Sequence, residues 1–432
     1  MTAPSPSTPR RALQPVVLLL AALFAALEGY YLACYGVTVP SLLADAGMGA
    51  NKAAAGTVGS LVAVGMLVGA ALSAALIRRL GSRRLLIGGA TLFSAGMLVC
   101  TIAPTFAFFG GARLVVGIGL GVVLPTVTAY VADLSEPERR SRNIGMMMAG
   151  YAAGALIAPL LGAAVLPDAS WRWIYLVGTL PALIVIPVAI KLLPESPVTP
   201  STAPATGRTG GDLFGLRSLL GSGVRAATLL FWSISFCGLL LVFGISTWLP
   251  TIMQAAGYSL GSSLLQTAAM WVGAGVGMVA GGRVADAIGV KPVVVVAFLA
   301  GSVSLLLMSI RPGLAFLFLL MFVSGLGFIG SQVLTNAFIV TRYPDSLRGP
   351  AIGWALSVGR LGAIVGPIMG AWILSSGLSV QWNFYLFAVP GVLGAAIAAL
   401  VPAIRAARQP EVAADAASTE RPAESSAERG FV

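Results

Sequence analysis

No histidine occurs anywhere in the 432 residues. That absence excludes imidazole metal sites, serine–histidine triads and histidine proton relays together. Cysteine is nearly missing as well. Cys34, Cys100 and Cys237 all fall in apolar runs, with no CxxC pair and no metal spacing, so neither a disulfide framework nor a thiolate site is expected. Charge is scarce: Asp, Glu, Lys and Arg make up 9% of the chain, against roughly a quarter in soluble domains, while 57% is hydrophobic. This composition belongs in a membrane. The 53 glycines and 26 prolines fit the same class, because small residues let membrane helices approach closely.

What is present is a series of long apolar runs. A bilayer core needs about 20 apolar residues per helix, and twelve runs qualify: 13–39, 53–77, 85–103, 106–131, 143–166, 173–193, 226–250, 263–282, 292–310, 314–340, 350–374 and 383–404. The first follows Arg10 and Arg11, but it is too long for a signal-peptide core and lacks a clear cleavage site. If both termini are cytoplasmic, 21 of the 26 Lys and Arg residues lie on the inner side. The outer loops then hold only Lys52, Arg172 and Arg311. This is the positive-inside pattern of a multi-pass protein of the cell membrane, and it accounts for the net charge of +11 without nucleic acid.

Three segments read as extramembrane. Residues 1–11 and 405–432 are expected to be disordered cytoplasmic ends, rich in Pro, Ser, Ala and Glu. Residues 194–225 form a polar Pro/Gly/Ser/Thr linker between a six-helix bundle at 12–193 and another at 226–404. The bundles repeat one another. "VPSLLADAG" at 39–47 lies over "LPTIMQAAG" at 249–257, an offset of 210. Later the offset settles at 208: Gly81 on Gly289, Gly117 and Gly119 on Gly325 and Gly327, Arg140 on Arg348, Gly154 on Gly362. Two similar bundles around a midplane site make a transporter plan. The expected fold is all-α, with twelve membrane helices in two pseudo-symmetric bundles.

Within the spans, away from their ends, stand three charges: Glu28, Arg113 and Arg360. Their repeat-mates Gly238, Met321 and Ala152 are uncharged. A scaffold requirement repeats with the scaffold, whereas a site for one asymmetric solute need not. Intramembrane charges are expensive and mark pathways. The set sums to +1 or +2 according to the state of Glu28, which favours an anion, and guanidinium fits a carboxylate in bidentate fashion. Glu28 is the candidate proton carrier, with Arg113 and Arg360 as candidate carboxylate ligands. The competing structural readings tie Glu28 permanently to Arg113, let Arg113 bond free carbonyls, or make Arg360 an anchor. Tyr31, Tyr35, Trp271 and Trp354 supply aromatic surface for a pocket, or pack the core; Gln332 and Asn336, four apart, point polar groups into the cavity or away from it. "GIGLG" at 117–121 and "GAGVG" at 273–277 lie inside apolar spans with no preceding strand, so they read as helix packing and not as phosphate loops.

Several stretches carry a resemblance. "AALIRRLGSRR" (74–84) resembles the loop between the second and third spans of the major facilitator superfamily, keeping Arg79, Gly81, Arg83 and Arg84 but placing Arg78 where the family has aspartate. The second copy, "GRVADAIGVK", keeps that acid as Asp286. "EGYYLACYGVTVPSL", "RLVVGIGLGVVLPTVTAYVAD", "WLPTIMQAAGYSL" and "GWALSVGRLGAIVGPIMG" resemble the aromatic acid:proton symporters within it. Of the two acids usual in their first stretch, Glu28 fills one position and Tyr31 stands at the other. The resemblance implies an inner gate at Arg79, Gly81, Arg83, Arg84 and Asp286. It also implies proton-coupled uptake of a small aromatic or related organic acid, by a chain working as a monomer with the proton gradient in place of a cofactor. "GALIAPLLG" at 154–162 half-matches an antiporter motif, but the better copy, "GAIVGPIMG", lies in the eleventh span, where it says little about direction. Export of a drug or metabolite is the rival reading, since Glu28 and the arginines would serve there too. An enzyme is not expected, since no nucleophile–base pair can be assembled.

Overall fold

The computed structural model describes residues 15–136, 138–195, 215–221 and 223–402. Their regular secondary structure is helical. They form α1 (Pro15–Ala44), α2 (Lys52–Leu80), α3 (Ser82–Thr101), α4 (Phe106–Leu134), α5 (Arg140–Val165), α6 (Arg172–Leu192), a short α7 (Leu216–Leu219), α8 (Arg225–Ala255), α9 (Leu260–Ile288), α10 (Val290–Met308), α11 (Leu314–Arg342), α12 (Asp345–Ser375) and α13 (Gln381–Leu400). All but α7 are long and apolar enough to cross a membrane, which gives the twelve expected spans. The expected N-terminal arm, C-terminal tail and most of the linker lie outside the described residues.

Two helices outrun their expected ends by continuing past a proline. α1 continues through Pro40 to Ala44, and α8 through Pro250 to Ala255. Proline normally marks a boundary, but inside a membrane bundle neighbouring helices shield the carbonyl it frees. Both prolines are buried, and they occupy equivalent places in the repeat. At the other ends, Asn51, Thr105 and Ser259 cap α2, α4 and α9 by accepting from the amides of Ala54, Phe108 and Ser262.

The repeat is visible in contacts as well as in letters. Gly117 of α4 lies against the carbonyl of Val62, and Gly325 of α11 against that of Met270, so both partners shift by 208. Gly119 meets Phe93 and Gly89, while Gly327 meets Gly301 and Ala297, again by the same shift. Gly154 meets the carbonyl of Ala26, and Gly362 that of Phe236. At each of these positions a methyl would collide with backbone. The glycine-rich stretches at 117–121 and 273–277 are therefore helix-packing surfaces. Gly81 and Gly289 each join two helices as a single residue, at φ 78° and 91°, a conformation that favours glycine.

The closest approaches between the halves gather toward one end. Gly36 of α1 meets the backbone of Ser246 and Thr247 in α8, Gly56 of α2 meets Pro367 and Ala371 of α12, and Gly162 of α5 meets Leu264 of α9. Ser60 Oγ donates to the carbonyl of Ile364, and Lys52 Nζ reaches that of Leu374 at 2.9 Å. All of these lie away from the arginine-rich loops. Toward those loops, Gly145 of α5, Gly282 of α9 and Gly353 of α12 face open space. The burial of α1 agrees, being continuous from Ala33 to Pro40 and interrupted by exposed positions from Pro15 to Leu23.

At the closed end Asp45 fixes the loop after α1. Its Oδ2 accepts from the Trp171 indole at 2.9 Å and pairs with Arg172 at 3.6 Å, while Oδ1 accepts from the Gly47 amide at 3.0 Å. The indole bond, followed by the Gly47 bond and the Arg172 charge, holds the Asp45 carboxyl below the usual carboxylate range. Its contribution to stability is therefore present above pH ~4 and is lost as pH falls through the lowered value. Asp45→Asn is expected to cost about 1 kcal/mol at pH 7, read as a lower melting temperature in detergent. The difference from wild type should shrink in acid. A larger effect is expected from Gly36→Val, whose side chain meets the Ser246 carbonyl and opposes closure by about 1–3 kcal/mol. Spin-label distances between the ends of α1 and α8 should then widen; unchanged distances would mean that this contact does not hold the closed end.

Candidate functional site

The three span charges are not brought into one cluster. Glu28 is 1% exposed, and neither carboxylate oxygen has a hydrogen-bond partner. Its neighbour Gly29 packs on the backbone of Tyr151 and Ala155 in α5, which fixes the level of Glu28 against that helix. Arg360 of α12 and Tyr151 lie within Coulombic range of it. Arg360 and Glu28 make no ion pair, so the guanidinium acts on the carboxyl through space. The level of Arg360 is set by its own helix, where Gly359 meets Leu239 and Ser235 of α8, and Gly362 meets Phe236 and Leu240.

Arg113 belongs elsewhere. It is 2% exposed, donates to the Tyr31 carbonyl at 3.4 Å and lies 4.6 Å over the Tyr35 ring. Tyr31 and Tyr35 are three and seven residues past Glu28, so Arg113 sits one to two helical turns, roughly 5–10 Å, along the axis from the acid, toward the closed end. A permanent Glu28–Arg113 tie is thereby overturned; Arg113 is held by α1 backbone and an aromatic face, and its Nε has no partner.

Tyr31 and Tyr35 are also committed within the N-terminal half. Tyr31 donates to the Gly178 carbonyl of α6 at 3.0 Å and meets Phe93 edge-on at 5.0 Å. Tyr35 donates to the Ala55 carbonyl of α2 at 2.6 Å and stacks on Phe109. Neither hydroxyl is turned to Glu28. Trp271 is buried in α9. Trp354 of α12 pairs with Trp232 of α8, ring centroids 5.9 Å apart, six residues from Arg360 toward the arginine-rich end.

Gln332 and Asn336 of α11 behave differently from the tyrosines. Both amide ends of Gln332 and the Asn336 Oδ1 are shielded and unpartnered. Gln332 Oε1 rests against Gly238 of α8. Gly238 thus sets Gln332, and Gly359 and Gly362 set the neighbourhood of Arg360, at the same level of α8 but on different faces of it.

Two residues of this constellation escape a search for charges. Tyr151 faces the Glu28–Arg360 pair, and its repeat-mate is Gly359. Trp232 carries a buried indole N–H without a partner, and its mate is Ala22. The asymmetry test that isolates Glu28 would have found both if applied to aromatics. At the loop expected to form a gate, Arg83 pairs with Glu195 at 2.6 Å and donates to the Ile190 carbonyl at the end of α6. Gly81 makes the one-residue turn, whereas Arg79, Arg84 and Asp286 are exposed.

An unpaired acid facing an arginine, between two bundles closed at one end, is an arrangement for moving a charged solute. Comparison with known proteins agrees. The Major Facilitator Superfamily profile matches residues 18–281 and 260–428. The gentisate transporter of Corynebacterium glutamicum is 34% identical over 86% of this chain and 84% of its own. The benzoate transport protein of Acinetobacter baylyi is 31% identical over 88% and 87%. In fold, the crystal structure of a D-xylose–proton symporter superposes with a TM-score of 0.74 at 20% identity, covering 88% of this chain and 96% of the other. The protein is therefore a membrane transporter, not an enzyme, and belongs to the Major Facilitator Superfamily, in the family of the gentisate and benzoate carriers.

Proposed function

We propose that this transporter takes up a small aromatic or related organic acid together with protons, by alternating access across the cell membrane. The observation that carries the reading is the Glu28 carboxyl, buried without a partner and within the field of Arg360. An unpaired buried carboxylate is costly, and either a proton or a shift of the guanidinium relieves it. An arriving substrate carboxylate competes for Arg360, because guanidinium binds carboxylates in bidentate geometry. Substrate on Arg360 leaves Glu28 uncompensated and favours the proton; loss of the proton returns Arg360 to Glu28 and releases the substrate. That exchange couples the two loads. The names of the relatives support an aromatic acid as cargo, for they transport gentisate, benzoate and, in Pseudomonas aeruginosa, 4-hydroxybenzoate.

With the arginine-rich loops and both termini in the cytoplasm, the closed end faces outward and the conformation is inward-facing. Arg360 holds the carboxylate in this state. Arg113, engaged by Tyr31 and Tyr35, orients α1 from within its own half. The gate loops, with Arg83 on Glu195, hold α3 to α6 as the halves rock.

The test is uptake of labelled hydroxybenzoate into proteoliposomes under an inward proton gradient. Wild type should accumulate the acid. Glu28→Gln should lose gradient-driven accumulation while retaining exchange of internal for external substrate, and Arg360→Ala should lose at least tenfold in both. Unchanged accumulation in Glu28→Gln removes the acid from coupling. Extrusion driven by the gradient moves the protein to the exporter reading.

A further inference from the structure

Resting on that reading, we infer that Tyr151 of α5 is a positioning residue for the coupling step: its phenol holds the Glu28 carboxylate between loss of the proton and the return of Arg360. The fully buried tyrosines all commit their hydroxyls. Tyr30, Tyr31, Tyr35 and Tyr130 donate to the carbonyls of Ile174, Gly178, Ala55 and Pro194, while Tyr175 meets the Thr38 hydroxyl and Tyr343 that of Thr228. Tyr151 is half-buried, and its hydroxyl bonds nothing among the described residues. Both oxygens of Glu28 are unpartnered as well. Buried polar atoms are nearly always hydrogen-bonded, and each exception calls for a reason. Here a free donor and two free acceptors share one neighbourhood.

Packing places them together. Gly29, next to Glu28, brings the backbone of α1 onto the Tyr151 carbonyl. Around α5, Gly150 and Gly154 meet Ala22 and Ala26 of α1, and Ala152 meets Gly275 of α9. Ile157 and Leu160 are exposed and mark the lipid side of the helix. At about 100° per residue, Tyr151 falls between the α1 and α9 contacts, away from lipid, and so faces the gap between the halves. In the C-terminal half the matching contact is Gly359 on Leu239, the mates of Tyr151 and Gly29. Large and small residues have changed places, so either arrangement fills the space. A hydroxyl at this contact belongs to the N-terminal half alone, where the acid is.

An ionised carboxylate only accepts hydrogen bonds, and a phenol donates one without bringing charge of its own. Such a donor steadies Glu28 as its proton passes to water in the open cavity while Arg360 is still on the substrate. The guanidinium then returns to Glu28 and the substrate leaves; the phenol keeps its own proton throughout. Other groups around α1 are engaged or distant. On α1 itself the Cys34 thiol lies on the Tyr31 carbonyl, and the three tyrosines are bonded. Arg113 of α4 is held by Tyr31 and Tyr35, and Tyr175 of α6 by Thr38. Between its ends α8 offers only the Cys237 thiol, and α2 bears charge only at its ends. From α12, Arg360 acts on Glu28 across the gap.

The experiment measures net uptake of labelled hydroxybenzoate against the pH inside proteoliposomes of wild type and Tyr151→Phe, with exchange of internal for external substrate as the control. Without the phenol the carboxylate is less favoured, so Glu28 keeps its proton to higher pH. Net uptake by Tyr151→Phe should therefore fail at an internal pH roughly one unit higher than in wild type, with exchange unchanged. A second readout needs no transport. A hydrophobic carbodiimide modifies protonated carboxyls, and its labelling of the Glu28 peptide, with Glu28→Gln as the blank, should persist to higher pH in Tyr151→Phe by the same margin. Should the variant transport nothing, this curve decides alone. A labelling curve that stays in place or moves to lower pH overturns the role of Tyr151 and leaves Glu28 as the proton carrier. Normal accumulation by Glu28→Gln overturns the coupling reading and this inference together.

Discussion

Contact between helix backbones at glycine is the constraint on which this structure depends. Lipid offers no hydrophobic reason for one apolar helix to prefer another, so association rests on how closely surfaces fit. At Gly117, Gly154, Gly325 and Gly362 a neighbouring carbonyl fills the space a methyl would need. Because these approaches recur at a nearly constant offset, the two halves are one bundle built twice. The faces between halves use the same device at Gly36 and Gly56.

Function is written as departures from that symmetry. Glu28 has Gly238 as its mate; Arg360 and Tyr151 have as mates Ala152 and Gly359. A twofold scaffold offers equivalent positions, and the solute needs inequivalent ones. In the proposed site the opposite charges are divided between α1 and α12, one from each half. Arg113 shows that a departure from symmetry need not mark the site. Its guanidinium is taken up by the Tyr31 carbonyl and the Tyr35 ring, deep within one half.

Most of the fold was legible in the sequence, since span length, charge bias and the repeat are each set by the bilayer or by duplication, and all act on local stretches. The ends of α1 and α8 were not. A proline looks like a terminus in isolation, and only the neighbouring helices make Pro40 and Pro250 tolerable. Within the site, periodicity placed Tyr31 and Tyr35 on the side of α1 that carries Glu28, but it could not say that α6 and α2 offer carbonyls there. The same limit hid Tyr151, which meets Glu28 only because Gly29 allows α5 to approach. Gln332 and Asn336 were legible as a polar pair on one helix face. Their lack of partners is a property of packing and cannot be read from spacing.

The ion pairs Arg83–Glu195, Arg139–Glu136 and Arg172–Asp45 each stay within one half. The seam at the closed end is instead made of glycine faces, the Ser60 hydroxyl and one lysine on a helix-end carbonyl. Dispersion between close surfaces falls off within an ångström or so of separation, whereas an ionic lock would pull over several. The two halves are thus held by a short-range latch that engages only when nearly shut. Such a latch makes the closed end responsive to anything that changes the fit of the halves, including the lateral pressure of the surrounding lipid, and largely indifferent to the salt outside.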